Sequence, residues 1–158
     1  MANESAVQFE EIRKTLRTAD HMVYITYPVL KENRLLAKVL EEIYSAIRKT
    51  IDLILNYEYE HKRIKVYSDP KINMSIFEQK CAPRYNFTAD DIVRIKQIID
   101  LFESHKSSPM EFSRQNKFVI LTDDMRVDSL TIPGLKSMLT LAKDSAKKAE
   151  TAMTTNHG

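Results

Sequence analysis

Between Asn33 and Arg63 the chain contains no glycine or proline, while Leu36, Val39, Leu40, Ile43, Ile47, Ile51, Ile54 and Leu55 recur at helical spacing. A run of about thirty residues at 1.5 Å each predicts a rod of roughly 45 Å. An apolar stripe of that length must be covered along its whole extent, by other helices of the chain or by a second chain. The rest of the composition agrees with a helical protein. Only 2 Gly and 5 Pro occur in 158 residues, which excludes an all-β sandwich or barrel, where turn residues return every 8–12 positions or so.

Further elements follow from local signals. Phe9, Ile12, Leu16, Ala19 and Val23 predict a first helix from about Ser5 that stops near Pro28, because proline disfavours helical geometry at the residue before it. Residues 65–75 read as a connection. Ser75 with Glu78 has the form of a capping box for a short helix ended by Pro83, and Thr88 with Asp91 forms a second box ahead of Ile92, Ile95, Ile99 and Phe102. After Pro109 the texture changes. Lys117–Thr122 and Arg126–Ile132 are rich in β-branched residues around Asp123 and Asp124, predicting a β-hairpin over about 117–132. Pro133 suits the first turn of a last helix, and Thr151–Gly158 is expected to fray. The expected fold is mainly α: a helical bundle as a single domain over 1–150, with one very long helix (about 33–63), a small β-hairpin before the last helix, and a tail over 151–158. An isolated hairpin is marginal in water, so this one must pack on the bundle or pair with another chain.

Several chemistries are excluded or poorly supported. With glycines only at Gly134 and Gly158, no glycine-rich nucleotide-binding loop can form, so no nucleotide cofactor is expected. One cysteine, Cys81, and the scattered His21, His61, His105 and His157 give no zinc spacing. Glu58 with His61 is a single Glu-x-x-His pair where a carboxylate-bridged di-iron centre needs two, so no metal is expected. No GxSxG elbow is present. The lone cysteine suggests a reducing compartment, the opening residues lack a cationic stretch followed by an apolar run, and no apolar segment approaches membrane-spanning length, so a cytoplasmic protein is expected.

The net charge is +2, with Lys+Arg against Asp+Glu standing at 11 to 10 over residues 1–66, so no basic arm is evident. The densest polar and aromatic cluster is Tyr57–Lys65. On a helix, Glu58 meets Lys62, Tyr57 meets His61 and Tyr59 meets Arg63. It reads either as a solvated helix end or as a binding face, with Tyr57 or Tyr59 stacking on bases and His61, Lys62, Arg63 and Lys65 on phosphates. Lys80, Arg84 and Tyr85 around Pro83 form a second candidate, against the plainer reading of an ordered loop. His105, Lys106, Glu111, Arg114 and Lys117 surround the exit of a helix into the hairpin and form a third, against a hydrogen-bonded histidine at the core edge.

The stretches DHMVYITYPVLKENRLLAKVLEEIY, KCAPRYNF and HKSSPMEFSRQNKFVIL resemble a group of small, mostly uncharacterised archaeal proteins, over most of residues 10–150. In outline the bundle is also similar to the HEPN family of helical, RNA-associated domains, some of which are RNases with an R-x(4–6)-H motif. This chain departs from that motif: Arg17 precedes His21 by three intervening residues, Arg13 by seven, Arg94 precedes His105 by ten and Arg48 precedes His61 by twelve. The resemblance therefore implies a bundle without that cleavage chemistry.

The residues together lead to the expectation of a non-enzymatic binding protein, a homodimer built on the long helices, with RNA or a ribonucleoprotein as partner. The alternatives are a metal-independent RNase or nucleotide-processing enzyme, with His61 or His105 as base and Arg63 or Arg114 stabilising phosphate charge, and a scaffold or antitoxin-like protein that recruits a partner through the hairpin edge.

Overall fold

The computed structural model describes residues 2–155 of the chain, so His157 lies outside the described residues. The fold is mainly α. Helix α1 (Ala2–His21) continues through a widened π-helical turn, Met22–Thr26, and a last turn, Tyr27–Leu30. Pro28 does not end the helix as expected. The wider turn opens the backbone just ahead of it, where an ordinary helix would press the pyrrolidine ring onto a carbonyl one turn back. The chain breaks instead at Lys31, which is left-handed at φ 52°.

Helix α2 (Arg34–Glu60) is the predicted long rod, and it is the centre of the molecule. Its stripe broadens to most of its circumference toward the C-terminal half, where Ile51, Leu53, Ile54, Leu55, Tyr57 and Glu58 are all buried. The cover comes from within the chain: α1, α4 (Ala89–Ser107) and α5 (Ile132–Thr155) all pack on α2. The stripe therefore needs no second copy. Each fully buried Leu or Ile of α2 contributes about 1.5–3 kcal/mol by leaving water, and α2 supplies six that are 2% exposed or less: Leu36, Leu40, Ile43, Ile47, Ile51 and Ile54. Arg13 pairs with Glu150 and Asp20 with Lys143, so α1 runs antiparallel to α5, and the short break at Lys31 folds α2 back along α1, where Lys49 reaches Thr15.

The segment 65–75 is only partly a connection. Asp69 accepts a hydrogen bond from the Lys71 amide at 2.9 Å and Pro70 opens helix α3 (Pro70–Ile76), which runs on through a π turn, Phe77–Cys81, and a 3₁₀ turn, Ala82–Tyr85. Ser75 lies inside this helix, so Ser75–Glu78 caps nothing; the start signal is the Asp69-Pro70 pair. Thr88 and Asp91 do form the reciprocal capping box of α4.

The expected hairpin is a three-stranded antiparallel sheet in the order β1 (Met110–Arg114), β2 (Lys117–Leu121), β3 (Val127–Leu130). Its register places Glu111, Ile120 and Asp128 in one row and Ser113, Phe118 and Leu130 in the next, facing the bundle; Phe118, Ile120 and Leu130 join the main core. Asn33 ties the β1–β2 turn to the start of α2, donating to the Gln115 carbonyl at 2.7 Å and the Lys117 carbonyl at 3.2 Å. Thr131 receives the Gly134 amide at 3.2 Å and caps α5, which extends to Thr155. Residues 151–155 of the expected tail are thus helical, and 156–158 lie outside the described residues.

Candidate functional site

The side chains singled out in the sequence gather at two places, near the two ends of α2. Glu41 and Glu58, which anchor them, are separated by about 25 Å of helix at 1.5 Å per residue.

At the C-terminal end α2 closes with a Schellman motif. Lys62 is left-handed at φ 59°, its amide bonds the Tyr59 carbonyl at 3.0 Å, and the Arg63 amide bonds the Glu58 carbonyl at 3.0 Å. That turn folds Arg63 back onto Glu58, whose side chain is 2% exposed; Arg63 Nε donates to Oε2 at 2.5 Å. Glu58 therefore pairs with Arg63 and not with Lys62. Arg84, from the 3₁₀ turn, places its Nε 3.5 Å from Oε1 of the same carboxylate. Tyr57 lies beside His61, ring centroids 4.2 Å apart, and Arg63 sits 5.8 Å over the Tyr57 ring. The Arg63 guanidinium is held above its ordinary pKa by the Glu58 hydrogen bond, against the desolvation of burial. Burial, and then Glu58, push the Tyr85 phenol up, and the same two causes push the Cys81 thiol up to about 11. Among the described residues Tyr85 Oη is buried without a hydrogen-bond partner, while the buried Arg63 Nη2 stands against Glu58 Oε2 as an ion pair.

This geometry divides the expected binding face. Tyr57 and Tyr85, 5% and 1% exposed, cannot stack on a base, and Arg63 is committed to Glu58. Tyr59, Lys62, Lys65 and Arg84 remain on the surface. Arg84 lines a groove of about 420 Å³ with Asn86, Asp144, Lys147, Lys148, Thr151 and Thr155. Lys147 and Lys148 escaped the sequence reading because they belong to α5, far from Arg84 in the chain.

At the other end His105 is clamped between two carboxylates: Nδ1 lies 2.5 Å from Glu111 Oε2 and Nε2 lies 3.1 Å from Glu41 Oε1. Both ring nitrogens thus face carboxylate oxygens, and which of them donates depends on the tautomer. Lys106 adds a 3.5 Å contact to Glu41. Burial of Glu41 opposes its ionisation, but the His105 hydrogen bond together with Lys106 and Lys38 outweighs it and holds the carboxyl below its ordinary range. The clamp joins α4 to α2 and β1, beside the Tyr44–Phe102 stack with centroids 3.7 Å apart. Arg114 points from the end of β1 as an exposed cation and joins neither cluster.

A third feature carried no sequence signal beyond its alternation. On the outward face of the sheet, Met110, Leu121 and Val127 form one row and Phe112, Val119 and Ser129 the next. Met110, Phe112 and Val127 are 57%, 42% and 63% exposed. Among the described residues no group of three or more His, Cys, Asp or Glu side chains could hold a metal ion, and no helix is long and apolar enough to cross a membrane. No protein-family profile and no curated sequence matches the chain.

Proposed function

We propose that this chain is a non-enzymatic binding protein that self-associates through the outward face of its sheet. One observation carries the reading: a sheet already buried on its inner side exposes Met110, Phe112 and Val127 on its outer face, around a half-buried Leu121 and a buried Val119. Apolar side chains grouped on one face of a sheet offer a surface on which a second chain can bury area. Charge favours a second copy as the occupant. Arg114 and Lys117 stand directly opposite each other at one end of the face, a like-charge pair that costs stability within one sheet. Asp123 and Asp124 lie beyond the other end, in the β2–β3 loop, where Arg126 pairs with Asp124 at 2.9 Å, so that the loop keeps a single net negative charge. A two-fold axis lying across the strands sets the cationic end of one copy over the acidic end of the other.

The area sets the strength. Three strands about 4.8 Å apart and five residues of about 3.4 Å each cover roughly 240 Å² per copy, far below the ~800 Å² per partner of a standard stable interface. The association is therefore weak and concentration-dependent. Three of the four residues named for the enzymatic alternative are engaged within the fold, Arg114 being the exception: both His105 nitrogens face carboxylates, His61 Nδ1 is 2.8 Å from the Tyr57 carbonyl, and Glu58 pairs with Arg63. The cations expected to follow an RNA backbone are dispersed, with Lys62, Lys65 and Arg84 at the C-terminal end of α2, Lys106 beside Glu41 and Arg114 at the end of β1.

Sedimentation velocity from about 1 µM to 1 mM, which brackets affinities of −8 to −4 kcal/mol or so, tests the proposal. Wild type should shift from monomer toward dimer, and both Phe112→Ser and Val127→Asp should remain monomeric with unchanged circular dichroism. A strict monomer across that range, or variants that dimerise like wild type, would overturn it.

A further inference from the structure

We infer that the groove between the 3₁₀ turn and α5 is a binding site for a phosphate group, held between Arg84 and Lys147. The inference is independent of the sheet face.

Charge accounting around Glu58 motivates it. One buried carboxylate faces two guanidinium groups, and Arg63, hydrogen-bonded at 2.5 Å, satisfies it. Arg84 is the surplus: its Nε stays 3.5 Å from Oε1, while its side chain is 45% exposed where it borders the groove. Glu58 thus acts on Arg84 as an aiming device more than as a counter-ion. Lys147, on the opposite wall, is exposed and makes no ion pair with any described residue. Lys148 is different, being tied to Asp91 at 2.6 Å, over the Phe87 ring at 5.3 Å. Asp144 is the one carboxylate in the lining. Arg84, Lys147 and Lys148 against Asp144 leave the lining cationic, with one net positive charge once Asp91 is set against Lys148. That residue of charge suits a single phosphate.

The neutral partners also fit. Asn86, left-handed at φ 62°, ends the 3₁₀ turn, and it and Thr151 line the groove as residues with an amide and a hydroxyl side chain. A planar guanidinium can grip two phosphate oxygens at once, and an ammonium and an amide can take others. The groove, at about 420 Å³, has room for such a group and for whatever carries it.

A phosphate can arrive free or as part of a polynucleotide, and two probes separate these sources. Inorganic pyrophosphate titrated into isotope-labelled protein should shift the amide resonances of Asn86, Lys147 and Thr151. A fluorescein-labelled oligouridine should be bound with an affinity that falls as salt rises. Lys147→Gln, an exposed change that spares the fold, should weaken either interaction about tenfold, the effect of one charge-assisted contact. In the RNA arm it should also lower the salt slope by about 0.7. Lys31→Gln, at the opposite end of the bundle, should bind as wild type does. Pyrophosphate that saturates and displaces the oligouridine assigns the site to a discrete phosphate; oligouridine binding that pyrophosphate does not displace, but that Lys147→Gln weakens, assigns it to a nucleic-acid backbone. If neither probe binds, or if Lys147→Gln and Arg84→Gln bind both probes as tightly as wild type, the site does not exist.

Discussion

Replacing Glu58 by alanine tests the electrostatic account of the α2 terminus most directly. The carboxylate is 2% exposed, with Arg63 bonded through Nε at 2.5 Å and Arg84 at 3.5 Å. Removing one member of a buried pair costs about 3–5 kcal/mol, because the charge left behind has no partner. Here the stranded groups are only partly buried: the Arg63 side chain is 29% exposed and that of Arg84 is 45% exposed, so both can turn toward water. That relief lowers the expected loss to about 2–3 kcal/mol. For a domain of this size each kcal/mol moves the midpoint by about 2–4 °C, so the variant should melt roughly 4–12 °C lower. Glu58→Gln keeps the shape and one acceptor and should lose about half as much. Urea unfolding of both variants, followed by circular dichroism, gives the comparison. The double variant Glu58→Leu with Arg63→Leu should be more stable than Glu58→Ala, since it removes both charges and fills the space. A Glu58→Ala protein within about 0.5 kcal/mol of wild type would refute the reasoning, because a side chain with that effect is no more than a surface residue.

Two further outcomes follow from the same geometry. Lys62 holds a left-handed conformation at φ 59° that a residue with a Cβ adopts at a cost, so Lys62→Gly should raise stability by about 0.5–1 kcal/mol; a loss measured by urea unfolding would show that the lysine side chain contributes something else. Glu41 and Asp91 both have lowered pKa values: for each, burial is outweighed, by the His105 hydrogen bond in Glu41 and by the Lys148 and Thr88 hydrogen bonds in Asp91. A carboxyl whose folded pKa is depressed stabilises the protein fully above its unfolded value, near 4, and loses that contribution as the pH falls through the folded value. Unfolding free energy should therefore fall between about pH 5 and pH 3, less steeply in Glu41→Gln and Asp91→Asn, and parallel pH profiles for wild type and both variants would contradict the assignment.

The helices were legible in the sequence wherever an apolar period ran for several turns, as in α2, or where a cap had an unambiguous form, as at Thr88 and Asp91. Local competition hid the rest. Pro28 looks like a stop because the rule for proline assumes an ordinary helix, and only the π turn ahead of it lets the helix continue. Strand β1, MEFSR, is too short and polar to announce itself; it is held by β2, by a two-residue turn at Gln115–Asn116 and by the His105 bond to Glu111. None of those is a property of the five residues themselves.

The candidate site was harder to read for a different reason. Helical spacing says which side chains are neighbours, and Tyr57 does meet His61 as the spacing requires. It does not say which neighbours face solvent. The same turn carries Tyr57 into the core and leaves Tyr59 53% exposed, and this depends on which part of the circumference of α2 the rest of the bundle leaves uncovered. Charge is subject to the same uncertainty: Arg63 and Arg84 look alike as cations in sequence, yet the left-handed Lys62 folds Arg63 onto Glu58 and leaves the surplus with Arg84. A binding surface in such a protein consists of what remains after the core and its internal ion pairs have taken their share. By that argument the outward sheet face and the Arg84–Lys147 groove stand out, since the aromatic rings and cations of the densest sequence cluster are largely spent on the fold itself.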